Sequence, residues 1–200
     1  GLGFFYVDGH VRVYHGGLGP LPRHYVARQK LCLRGTADYW VNGLGGEPFF
    51  VVTQPDHAGL LAALREQVVP RLLADAPPLD PASADDPHAI RFTLIVDREG
   101  FSQKEFAELK RQHIGVLTYH KYPGEDWPAG EFAVQPVRLH TGELVERDLA
   151  ERGTQLRNGM WVKEVRVRGD DGHQISILST HVRLDLRQIA AGMPARWSQD

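Results

Sequence analysis

The stretch from Ala89 to Tyr119 constrains the fold more than any other part of the chain. Ala89–Val96 (Ala-Ile-Arg-Phe-Thr-Leu-Ile-Val) is a β-rich run, apolar on both faces in its second half, as strands buried in parallel sheets are. It stops at Asp97. Ser102-Gln103-Lys104-Glu105 then reads as a capping box that starts a helix burying Phe106 and Leu109, and Ile114–Tyr119 is the next strand. Strand, loop, helix and strand make a βαβ unit, so an α/β fold with a parallel sheet segment is expected. Asp97 falls at the carboxyl edge of that segment, where α/β proteins build their sites. An ordinary loop aspartate is the alternative.

Upstream, Phe4–Val7, Val11–Tyr14, Lys30–Leu33, Tyr39–Asn42 and Phe49–Thr53 read as strands. From Ala58 the period changes: Leu60, Leu64, Val68 and Leu72 share a helical stripe, which Pro70 should kink or break near its end. Ala76–Pro87 is rich in Pro and Asp and reads as a linker or surface loop. Residues 121–176 do not continue the βα alternation and read as a β-rich insertion. Its clearest strands are Met160–Arg168 and Gln174–Leu178, joined by a Gly169–Gly172 turn. Asp185 can cap a last helix carrying Leu186, Ile189, Ala190 and Met193, with Pro194 disturbing its end.

No apolar run reaches the roughly 18 residues that a membrane helix requires. A lone Cys32 excludes an internal disulfide, so a reducing cytoplasm is expected, and the opening on Gly1 without a leader-like stretch suggests a fragment. The net charge of −2 speaks against a nucleic-acid binder, yet the charge is unevenly spread. Residues 152–196 carry eight Lys or Arg against four acids, while residues 47–90 carry two against seven. One basic face, or ordinary solvated surface, would account for this.

Few residues suit chemistry. Asp8-Gly9 between β-runs reads first as a hairpin turn and second as a chemical carboxylate. The ten histidines show no metal-ligand spacing, Gly43–Gly46 lacks the Lys-Ser/Thr of a phosphate loop, and Gly-x-Ser-x-Gly is absent. In Val165-Arg166-Val167-Arg168, alternation puts the valines on one face and Arg166 and Arg168 on the other. That second face would be either a phosphate-contacting strand or the solvated outside of a hairpin.

Three blocks in order resemble the DDE transposases of bacterial insertion sequences, members of the RNase H-like superfamily. Tyr6-Val7-Asp8-Gly9-His10 resembles their first-strand aspartate, and Ile95-Val96-Asp97-Arg98-Glu99-Gly100-Phe101 their second aspartate motif. Arg196-Trp197-Ser198-Gln199-Asp200 is similar to a Tyr-x2-Arg-x3-Glu-x6-Lys signature, with Met193 in the Tyr slot, Asp200 in the Glu slot and the Lys slot beyond the last residue. The resemblance implies an RNase H-like mixed sheet flanked by helices, with a β-rich insertion before the last helix and a core truncated at both ends. It also implies that Asp8, Asp97 and Asp200 are the catalytic acids and hold two Mg²⁺ ions, with Mn²⁺ as a substitute. Lys163, Arg166, Arg168 and Arg196 would then contact the DNA. The implied activity is cleavage and strand transfer of double-stranded DNA at element ends, by a homodimer of the full-length protein in the cytoplasm, with this fragment inactive by itself. A DNA-binding remnant that no longer cuts, or another RNase H-like metal nuclease, are the alternatives.

Overall fold

Ten strands form one sheet in the computed structural model, which describes residues 3–17, 19–26, 29–54 and 59–193. The first part of the chain supplies β1 (Phe4–Val13), β2 (Arg23–Val26), β3 (Leu31–Asn42) and β4 (Pro48–Gln54), with β3 antiparallel to the other three. The hairpin expected at Asp8-Gly9 is absent. β1 runs straight through both residues, because β3 pairs with it without a break from Tyr6↔Asn42 to Val13↔Gly35. Gly9 instead makes room for an aromatic ring. It lies opposite Tyr39, where a Cβ would come within 2.9 Å of the ring's Cε1. Glycine in a strand interior commonly marks such a close approach.

The helical stripe is real but interrupted. α1 (Gly59–Ala63) passes into a π-helical turn, Leu64–Val68, and then into α2 (Val69–Asp75). Pro70, at the start of α2, has no N–H to donate, and its ring crowds the carbonyl four residues back. The wider turn absorbs that conflict, so the helix continues to Asp75 instead of breaking.

β5 (Phe92–Val96), α3 (Gln103–Arg111) and β6 (Ile114–Tyr119) form the βαβ unit, with β5 parallel to both β1 and β6. Ser102 caps α3 by accepting from the Glu105 N–H at 3.3 Å. Glu105 does not complete the box; its carboxylate takes Arg65 from the preceding helical stretch at 2.7 Å, tying the two helices together. β7 (Ala133–Arg138), β8 (Leu144–Gln155), β9 (Trp161–Arg168) and β10 (Gln174–Ser179) follow, and α4 (Leu186–Gly192) starts from a full capping box at Asp185. These four strands add antiparallel to β6 through β10, extending the same sheet in the order β2-β3-β1-β5-β6-β10-β9-β8-β7, with β4 also on β3. The result is a mixed α/β fold in which only the β1–β5–β6 centre is parallel.

Each sheet face buries its own core. On one, Phe5, Val7, Leu94, Val96 and Val116 meet Leu64, Val68, Leu72, Phe106 and Leu109 from the helices. On the other, Tyr6, Ile95, Leu117, Ile177 and Val165 meet Ile189, Ala190 and Met193 from α4 and the residue after it. The Tyr6 hydroxyl donates to the Gly192 carbonyl at 2.6 Å, pinning the end of α4 to the middle of the sheet.

Candidate active site

Two carboxylates lie at the carboxyl edge of the parallel centre, each just past the last level at which β1 and β5 pair. The register pairs Tyr6 with Ile95, and two residues further along both parallel strands come Asp8 and Asp97. Side chains alternate along a strand, so Asp8 shares the face of Tyr6, and Asp97, still in extended backbone, shares that of Ile95. Both therefore stand on the α4 face, two residues past the last paired level of β1 and β5. Asp97 is held three ways: its Oδ1 accepts from the Glu99 N–H at 2.8 Å, its carbonyl accepts from the Thr118 hydroxyl at 2.9 Å, and the Gly100 N–H reaches the same carbonyl.

Neighbours complete the edge. His10, one step along the same face, places Nε2 3.1 Å from Asp8 Oδ2. Trp40 lies directly across from Asp8 on β3. Beyond Asp97, the register brings Tyr119 level on β6, and the Arg98 guanidinium carbon lies 5.8 Å from the Tyr119 ring centroid. His10 and Trp40 escaped sequence reasoning because the hairpin reading ended the first strand at Asp8. A strand read through Gly9 would have put His10 on the same face.

Two carboxylates on adjacent strands suit a small hard cation. Mg²⁺ is commonly held by one or two carboxylates, the rest of its shell being water and substrate phosphate oxygens. Among the described residues no cluster of three or more His, Cys, Asp or Glu could hold a metal. Asp200 and Arg196 lie outside the described residues.

Of the three described basic residues expected to face DNA, Arg166 is buried, while Arg168 and Lys163 are partly exposed. Arg166 is 2 % exposed, which corrects the outward face expected for it. Alternation does separate it from Val165 and Val167, but its face is covered by the loop after β6. The guanidinium donates to the Glu125 carbonyl at 2.8 Å, to the Pro123 carbonyl, to Gln174 at 3.1 Å and to Glu164 at 3.0 Å, and lies 4.4 Å from the Trp127 ring centroid. Arg168, partly buried, donates to Asp148 at 2.6 Å and lies over Phe132. Lys163 donates to the Leu184 carbonyl at 2.7 Å.

Glu164, beside Arg166, is the most perturbed acid. Burial pushes its pKa up, but the nearby His120 and hydrogen bonds from Thr154, Ser176 and Arg166 outweigh that and hold it down at about 2. It sits on the face away from Asp8 and Asp97 and serves the fold. On the acid-pair face, burial, with Arg183 adding to it, lowers the pKa of His181, whose Nδ1 is 2.9 Å from the Thr93 hydroxyl.

With this geometry in place, comparison with known families is decisive for the chain's kinship. A family model described as "Transposase protein" matches residues 2–200. The chain belongs to that transposase family. No curated protein matches the sequence. Transposases act on DNA, and no helix among the described residues is long and apolar enough to cross a membrane.

Proposed function

We propose that this transposase is a DDE-type enzyme of RNase H-like architecture, and that it cuts and joins DNA strands with two Mg²⁺ ions held by Asp8, Asp97 and Asp200. The observation that carries the proposal is that Asp8 and Asp97 each follow the paired level Tyr6↔Ile95 by two residues, on one face and at one edge of the parallel centre. The sheet order supports it: an antiparallel β4–β3–β1 unit followed by parallel β5 and β6 suits that architecture. Mn²⁺ is expected to substitute for Mg²⁺.

Two divalent ions, when bound, would supply an activated attacking oxygen and neutralise charge on the leaving oxygen of an in-line displacement. The chain's own part is positional. Asp8 projects from the interior of a ten-residue strand, paired there with Trp40 of β3, and Asp97 is held by the bonds around its own turn. Rigid first-strand and turn-held carboxylates keep their spacing when a phosphate arrives, and an error of about 1 Å there can cost on the order of 100-fold in rate. Asp200 would complete the set as the third acid, and Arg196 would contact the DNA. We expect a homodimer in the full-length complex on DNA ends.

The test is Mg²⁺-dependent nicking of duplex DNA bearing the element's ends, with the full-length parent protein and its Asp8→Asn and Asp97→Asn variants. Each variant should cut at least 100-fold more slowly while melting at or above the parent's temperature, and each should weaken Mn²⁺ binding followed by electron paramagnetic resonance. Undiminished cutting by either variant overturns the assignment. DNA binding by a parent that never cuts would identify a non-catalytic remnant instead.

A further inference from the structure

The row that holds Asp8 continues across β3 and β4. Across the sheet at one level, β4 contributes Val51, β3 Trp40 and β1 Asp8, and Asp97 follows the end of β5 beside them. Directly opposed residues of an antiparallel pair project to the same face, so Trp40 stands beside Asp8 on the face that carries the acids. Among the described residues α4 packs mainly on β7 to β10 of that face, and the β3–β4 end of the row stays open: Trp40 is 38 % exposed and Val51 36 %. A tryptophan is a costly residue to leave this open in the interior of a twelve-residue strand held by partners on both edges.

We propose that Trp40 is a stacking platform for an unpaired DNA base next to the phosphate engaged by Asp8 and Asp97. The inference rests on the proposed catalytic role of that pair. Its physical basis is direct. An indole stacks on any base because every base has a π-face, and such contacts give affinity without sequence preference. The Trp40 backbone is one strand spacing, about 4.8 Å, from that of Asp8, so a nucleotide whose phosphate reaches the acids brings a base over the indole. The strand pairing fixes the platform in advance, so little ordering is required on binding. A duplex keeps its bases stacked on one another and offers no free face, so Trp40 selects strands that are frayed or already separated near the reacting phosphate. Trp40 is thus a positioning residue, and Asp8 and Asp97 are the groups placed at the phosphate.

The test uses the whole chain and a single-stranded twelve-nucleotide oligomer carrying 2-aminopurine, with Ca²⁺ as the counter-ion and a fully paired duplex of the same sequence in parallel. Binding of the single strand should quench 2-aminopurine, and the duplex should bind more weakly. Trp40→Leu keeps apolar bulk but removes the π-face; it should abolish the quench and weaken single-strand binding by roughly 5- to 150-fold. Trp40→Phe should restore most of both. Trp161→Ala removes another tryptophan, 59 % exposed at the start of β9, and should change neither. Equal binding by Trp40→Leu and the parent, absence of quenching in the parent, or loss of binding in Trp161→Ala alone would each overturn the proposal. Failure of the catalytic reading is separable: Asp97→Asn would then leave cutting intact, whatever the 2-aminopurine signal does.

Discussion

Replacing Arg166 by Met removes a buried cation that is hydrogen-bonded to the buried Glu164. The methionine fills much of the same volume beside Trp127, so the change isolates the loss of charge and hydrogen bonds. Arg166 is 2 % exposed and Glu164 3 %, so neither can recruit bulk water as a substitute partner. Breaking a buried pair by deleting one member costs about 3–5 kcal/mol, because the remaining charge is left uncompensated. Four guanidinium bonds, two of them to carbonyls of the loop after β6, are lost together, which favours the upper half of that range. Urea unfolding at pH 7 should register the loss as a lower midpoint. The double variant Arg166→Met, Glu164→Gln should recover at least about 1 kcal/mol of it, since no buried charge remains. Acid sharpens the test. Glu164 titrates at about 2 in the folded chain against 4.5 for a free glutamate, so its contribution is complete above about pH 4.5 and disappears as pH falls toward 2. That gap, at about 1.4 kcal/mol per pH unit, corresponds to about 3 kcal/mol of acid-labile stability in the parent. Arg166→Met should show a shallower loss over the same range. A cost under about 1 kcal/mol, or a double variant no better than the single one, would refute the account of Arg166 as the partner that makes a buried Glu164 tolerable.

Two further outcomes follow from the same geometry. Gly115→Ala should destabilise by about 1–3 kcal/mol in thermal or urea unfolding, because its Cβ would come within 2.7 Å of the Thr93 hydroxyl and 3.0 Å of His181 Cβ, wedging apart the Thr93–His181 bond. In the full-length parent, Asp200→Ala should nearly abolish DNA cutting and Asp200→Glu should cut at least as fast as Asp; full activity of the alanine variant in the nicking assay removes Asp200 from the acid set.

The βαβ unit was legible because its signals are local and agree with one another: an apolar run, a Ser cap, a helical stripe and a second run. Asp97 came with it, as the residue at which the run stops. Asp8 was legible only through resemblance, since the Asp-Gly dipeptide signals a turn unless a partner strand overrides it, and that partner, β3, begins more than twenty residues later. The alternation in Val165-Arg166-Val167-Arg168 was sound, but which face meets water depends on a loop about forty residues upstream that folds over Arg166. β8, with the charged sequence Leu-Val-Glu-Arg-Asp-Leu-Ala-Glu-Arg, carries no strand alternation and takes its conformation from β7 and β9. Trp40 and His10 were hidden for the same reason as the full length of β1.

The strand order also dictates when the acid pair can exist during folding. β1, β3 and β4 are sequence neighbours and can pair early, as can β5 and β6 across their short helix. The β1–β5 seam joins residues some 89 apart in the chain, the kind of distant contact that closes slowly because loop entropy must be overcome first. Asp8 arrives with one subassembly and Asp97 with the other, so like charges are brought together only in the step that docks the two. On the proposed function, a half-folded or half-degraded chain would carry no assembled pair with which to engage a DNA backbone.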